Sequence, residues 1–146
     1  MNSFPMLFSS EAKGKGDYEQ PWSITSGDVS SVCAIPREFG GFGGGFSPED
    51  LFLQAAMNCF LGTFKVVVKL SKMSFSEVQV KGTLSVDKNS ENKIVMKSIA
   101  LEINVADFDR PDRLEAIVAK VIRDGYILNS IKSDVTFSLS QRPVGG

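Results

Sequence analysis

Histidine is missing altogether from this chain of 146 residues. With it go the commonest general base and the commonest metal ligand, so neither a Ser-His-Asp nor a Cys-His arrangement can be built from this sequence. Cysteine is scarce: Cys33 and Cys59 are the two, and they do not have CxxC spacing. Such a pair gives neither a disulfide framework nor a zinc site, and it suits a reducing compartment, so a cytoplasmic location and no metal are expected. An excess of one charge is lacking too. The 16 Lys and Arg are scattered among 17 Asp and Glu, a net charge of −1 that offers no footprint for nucleic acid or an anionic membrane. The start, MNSFPMLFSS, lacks the basic and long apolar regions of a signal peptide. One stretch, Leu51 to Leu70, is apolar enough to raise the question of a membrane. Gln54, Asn58, Lys65 and Lys69 interrupt it, which favours a buried helix of a soluble protein.

What is present reads as an ordinary globular composition, 42% hydrophobic and 23% charged, with no internal repeat or linker. The length fits one domain spanning 1–146, with Gln141 to Gly146 as a loose tail. Phe4 to Glu11 is expected to be a first strand, followed by a turn-rich stretch from Lys13 to Asp17. Trp22 to Thr25 and Val29 to Ile35 read as short strands around the turn signal Ser26-Gly27-Asp28. A loop with five glycines, from Phe39 to Phe46, precedes a sharp helix start in which Ser47 can cap, Pro48 suits the first position and Asp50 brings favourable charge. The body of that helix is apolar on all sides, which predicts burial on all sides and argues for a partner chain. After Met73 the period changes to the alternation of a strand, Val78 to Val86. A polar loop from Asp87 to Asn92 leads into a return strand, Ile94 to Val105. Pro111 opens a second helix, Tyr126 to Ile131 adds a short turn, and Val135, Phe137 and Leu139 mark a final strand. The class is α+β: antiparallel strands with a long buried central helix.

Chemistry concentrates in Ser47 to Gly62, SPEDLFLQAAMNCFLG. A glycine-rich approach, then Ser47, Pro48, Glu49, Leu51, Ala55, Cys59 and Phe60 at these spacings, then two strands, a helix and a last strand, resembles the OsmC/Ohr family. That family comprises osmotically inducible proteins and organic hydroperoxide resistance proteins of the oxidative stress response, and the element order agrees from about residue 4 to residue 140. The resemblance implies an intertwined homodimer, its sheets wrapped around paired central helices, with active sites at the subunit interface. It also implies thiol-dependent peroxidase chemistry without a cofactor. Cys59 corresponds to the cysteine that attacks the peroxide oxygen as a thiolate and becomes a sulfenic acid. Glu49 corresponds to the carboxylate that holds an activating arginine. Ten residues of helix span about 15 Å, so Glu49 can serve Cys59 only across a dimer or through a break in the helix. Phe42, Phe46, Phe52 and Phe60, with Tyr126, are candidate apolar pocket walls.

Two family features are absent. In place of the arginine the nearest match is Lys13, with Lys15 and Arg37 as further candidates, and lysine lacks the planar fork that grips a carboxylate. Where the family has a second, resolving cysteine, this sequence reads Gly125-Tyr126. Cys33 falls where the family carries no catalytic thiol and reads as a buried structural cysteine. The glycine run matches neither GxGxxG after a strand nor GK[ST], so no nucleotide site is expected. Two functions remain. One is reduction of organic hydroperoxides by Cys59, with Lys13 and Glu49 in support and an external thiol as reductant. The other is a non-catalytic dimer of the same fold that binds a small apolar or acyl ligand at its interface.

Overall fold

The computed structural model describes residues 3–143. Two compact units divide the chain between Leu51 and Phe52.

The first unit is built on an antiparallel meander of β1 (Glu11–Lys13), β2 (Trp22–Ser26) and β3 (Val29–Cys33). Ser26 pairs with Val29, leaving a two-residue loop in which Gly27 takes φ 60°, the left-handed value that primed hairpin turns require. The expected strand over Phe4 to Ser10 does not form, and strand structure begins at Glu11. Apolar residues alone do not make a strand. The backbone partners are Ser23 to Thr25, and they meet Glu11, Ala12 and Lys13 instead. A short 3-10 turn, Arg37–Phe39, leads into the glycine loop.

That loop is pinned, not free. The Phe46 N–H donates to the Val32 carbonyl and the Ala34 N–H donates to the Phe46 carbonyl, both at 2.9 Å. The approach is so close that a Cβ on Gly41 would lie 2.0 Å from the Ile35 carbonyl oxygen, and one on Gly45 would lie 2.7 Å from that of Val32. Glycine is required at both positions by neighbouring backbone.

The second unit holds the body of α1 (Pro48–Leu70), β4 (Glu77–Lys88), β5 (Ile94–Ala106), α2 (Leu114–Asp124) and β6 (Asp134–Arg142). Its sheet runs β4-β5-β6. Residues two apart share a face. Thus Val78, Val80 and Leu84 line up with Ile99, Leu101, Ile103 and Val105, and with Val135, Phe137 and Leu139, on the inner side. Against it pack Ala56, Phe60, Phe64, Val67 and Val68 of α1 and Leu114, Ile117, Val118 and Val121 of α2. Phe60 stacks on Phe64 with centroids 6.0 Å apart.

The α+β class with its sheets and long helix agrees with the sequence reading. Two details differ. β5 and β6 pair in parallel, because α2 crosses over between them; side-chain alternation is the same in either direction. β6 continues through Gln141 and Arg142, where a loose tail was expected, and 144–146 lie outside the described residues. Within the single chain, the core stripe of α1 leaves Leu51, Gln54, Asn58, Gly62, Lys65, Val66 and Lys69 exposed, the side on which the sequence reading expects a partner chain. By length and composition α1 could cross a bilayer; five of its residues, Ala56, Phe60, Phe64, Val67 and Val68, are buried in the core of this unit.

Candidate functional site

Within the first unit the helix start is built by reciprocal capping. The Asp50 N–H donates to Ser47 Oγ and the Ser47 N–H donates to Asp50 Oδ2, each at 2.9 Å. This satisfies helix N–H groups that would otherwise lack partners and fixes where α1 begins. Asp50 is thereby occupied, and Glu49 beside it is not. Glu49 Oε1 is buried with no hydrogen-bond partner among the described residues. A buried carboxylate oxygen without a donor is costly, so this one is suited to receive a cation or hydrogen-bond donor.

Cys33, at the end of β3, is 3% exposed. Burial pushes its thiol pKa up, the Ala34 backbone hydrogen bond pulls the other way, and the negative charges of Glu49 and Asp50 add to the rise. The thiol is held in its protonated, weakly nucleophilic form. Lys13 lies in β1, not in a turn as its glycine neighbours suggested, and is exposed opposite Ser23. Arg37 directs Nε to the Phe42 carbonyl at 3.5 Å. Phe42 and Phe46 are 58% and 45% exposed.

Within the second unit Cys59 is half-buried on α1. Its sulfur faces Gly125, the residue that ends α2: a Cβ on that glycine would lie 3.3 Å from Cys59 Sγ. The Gly125 N–H donates to the Val121 carbonyl at 2.9 Å, and its carbonyl accepts from the Asn129 N–H at 3.0 Å. Leu128 closes the same spot, with Cδ1 3.0 Å from the position of that Cβ.

Of the remaining candidates, Phe60 is completely buried and also meets the Phe137 ring, so it is core and not an open wall. Phe52 packs partly buried against the same core. Tyr126 points outward and is 87% exposed. α1 runs unbroken from Pro48 to Leu70, which removes a helix break as a means for Glu49 to serve Cys59. Leu128 belongs to the run from Gly125 to Asn129 that stands where the resemblance puts a resolving cysteine, and its packing against Gly125 comes from tertiary contact, not from a periodic pattern.

Residues 41–140 match the family model described as OsmC-like protein. An organic hydroperoxide resistance protein of Xanthomonas axonopodis pv. citri is 24% identical over 137 residues, covering 92% of this chain and 94% of that protein. An uncharacterized protein of Acinetobacter baylyi is 28% identical over 82 residues, 56% of this chain, and the match spans only 57% of that relative's length. Among solved structures, an OsmC-like protein from Vibrio cholerae superposes with a TM-score of 0.84 at 14% identity, covering 92% of this chain and 99% of that one. An organic hydroperoxide resistance protein from Legionella pneumophila gives 0.73 at 27% identity, covering 96% and 99%.

Proposed function

Because this chain belongs to the OsmC-like protein family, we propose that it reduces organic hydroperoxides with Cys59 as the attacking thiol. The observation that carries this reading is the contrast between the two cysteines. Cys59 is half-buried and reachable on the helix inside the matched stretch, whereas Cys33 is shut in and kept protonated. The near full-length likeness to a hydroperoxide resistance protein supports the same substrate class.

The chemistry balances as follows. The Cys59 thiolate attacks the peroxide oxygen distal to the organic group; an S–O bond forms, the O–O bond breaks, and the organic fragment leaves as an alcohol after taking a proton. Cys59 becomes a sulfenic acid. A thiol from outside the chain then displaces water to give a mixed disulfide, and a second thiol releases Cys59. In this reading the protein works as a homodimer in a reducing, cytoplasmic setting. Glu49 and Lys13 act in support of the thiol, with the unpartnered Glu49 oxygen available to orient a cation. The exposed Phe42 and Phe46, with Tyr126, offer apolar contact to the substrate's organic part.

The test is turnover of cumene hydroperoxide with a dithiol reductant. Wild type is expected to turn over and Cys59→Ser to fall to the uncatalysed rate. Equal rates for the two would remove the peroxidase reading and leave the dimer that binds a small apolar or acyl ligand, which native mass spectrometry of the purified protein would reveal.

A further inference from the structure

Residues that alternate with the core positions Leu101, Ile103 and Val105 point to the outer face of the β4-β5-β6 sheet, and there they line a recess of about 430 Å³. Two rows of the strand register build it, Lys81–Glu102–Ser138 and Gln79–Asn104–Ser140. In the next row Arg142 donates to Glu77 Oε2 at 2.9 Å across Ala106, so its charge is already matched. Asn104, on the centre strand, is only half satisfied. Its Nδ2 donates to Ser140 Oγ at 2.7 Å. Ser140 Oγ in turn donates to the Ile103 carbonyl at 3.5 Å, so it accepts from Asn104, which settles which end of the amide faces it. Asn104 Oδ1 is left buried with no partner among the described residues. A buried amide oxygen without a donor costs free energy, and a strand position that merely faces water has no need to incur it.

We propose that this recess binds a free amino acid, whose ammonium group is taken by Asn104 Oδ1 and the Glu102 carboxylate and whose carboxylate is taken by Lys81. The acceptors lie on β5 and β6: the unpartnered amide oxygen, the Glu102 carboxylate and the Ser138 hydroxyl. The cation lies on β4. Lys81 and Glu102 stand directly opposite in the register, yet neither makes an ion pair or hydrogen bond with a described residue. Two neighbouring charges of opposite sign left unpaired are complementary to a ligand that carries one of each. With Arg142 and Glu77 paired, and Lys81 and Glu102 cancelling, the recess has no net charge, which favours a zwitterion over a bare anion or a bare cation. The outward side chains of both rows are polar, so nothing in them rewards a large apolar ligand. Neighbouring strands lie about 4.8 Å apart, a distance that the four-carbon stem of Lys81 covers in leaning over the ligand's carboxylate. Gln79, beside Asn104 in its row, is exposed and makes no hydrogen bond with a described residue, so it can swing aside and admit the ammonium group to the buried oxygen. Nothing in this site depends on Cys59.

The test is an amide NMR titration of the reduced, full-length protein with each of the common free L-amino acids in turn. At least one is expected to give saturable shifts at the Asn104 side-chain amide and at the backbone amides of Glu102 and Ser140. The N-acetyl derivative of that amino acid and its decarboxylated amine each lack one charged contact, and each is expected to bind about tenfold more weakly. Asn104→Leu removes the buried acceptor and is expected to weaken the amino acid by a similar factor. Lys81→Gln, at an exposed position where folding is not at stake, is expected to weaken the amino acid about tenfold and to leave the amine unchanged. If Asn104→Leu does not fold, Lys81→Gln and the two analogues still decide. Absence of saturable shifts at these residues with every amino acid would overturn the proposal. So would unchanged affinity in Lys81→Gln, or equal binding of the N-acetyl derivative. Shifts confined to the surroundings of Cys59 would put the ligand elsewhere and overturn it as well.

Discussion

Two cysteines of one chain differ here through their surroundings alone. Cys33 ends a strand inside the first unit, where burial and the charges of Glu49 and Asp50 disfavour its thiolate. The unfolded chain releases that proton from about pH 8.5, while the folded chain holds it longer. The folded state thus binds more protons in that window, so stability is full below it and falls as pH rises through the raised folded value. Urea midpoints measured under reducing conditions are expected to drop above that pH, and Cys33→Ala is expected to flatten the drop. The sequence carried part of this distinction. The spacing Ser47-Pro48-Glu49 to Cys59 singled out one thiol, and the cap by Ser47 was legible because it is local, whereas Asp50 read only as favourable charge and not as the reciprocal capping partner. The distinction between Phe60 and Phe42 was not legible. Both are apolar aromatics close to the motif, and only the facing sheet makes one a core residue and leaves the other exposed.

Elements were easiest to read where a pattern repeats. β4, β5 and α2 were expected within a few residues of their observed bounds, since alternation and helical spacing recur over many positions. β1 was misplaced because three residues hold too little pattern, and the apolar run before it drew the assignment away. The glycine loop was read as an approach to the helix, but its function is closer to that of a clamp, joined to β3 through Phe46. This predicts unequal glycines. Gly41→Ala forces backbone apart and is expected to cost on the order of 3 kcal/mol. Gly16→Ala, where an added Cβ meets nothing within 4 Å, is expected to be close to neutral. Chemical denaturation of the two variants decides between a clamp and a flexible approach.

Seen across the molecule, family membership and α+β class were both legible, because they depend on element order. The parallel pairing of β5 with β6 was not, since an identical alternation serves either direction. That pairing has a temporal consequence. β4 and β5 are neighbours joined by a short polar loop, so their contacts close early at small entropic cost, whereas β6 can join only after α2 has crossed the sheet. Gly125 and Leu128 travel with that crossover, so Cys59 acquires its neighbours late in assembly. A brief iodoacetamide pulse is expected to label Cys59 more heavily early in refolding than after β6 has docked, and equal labelling at both times would contradict this order. A newly made chain would then pass through an interval in which its thiol meets oxidants before its surroundings can choose the reaction, which makes the redox state at synthesis part of how the finished molecule is obtained.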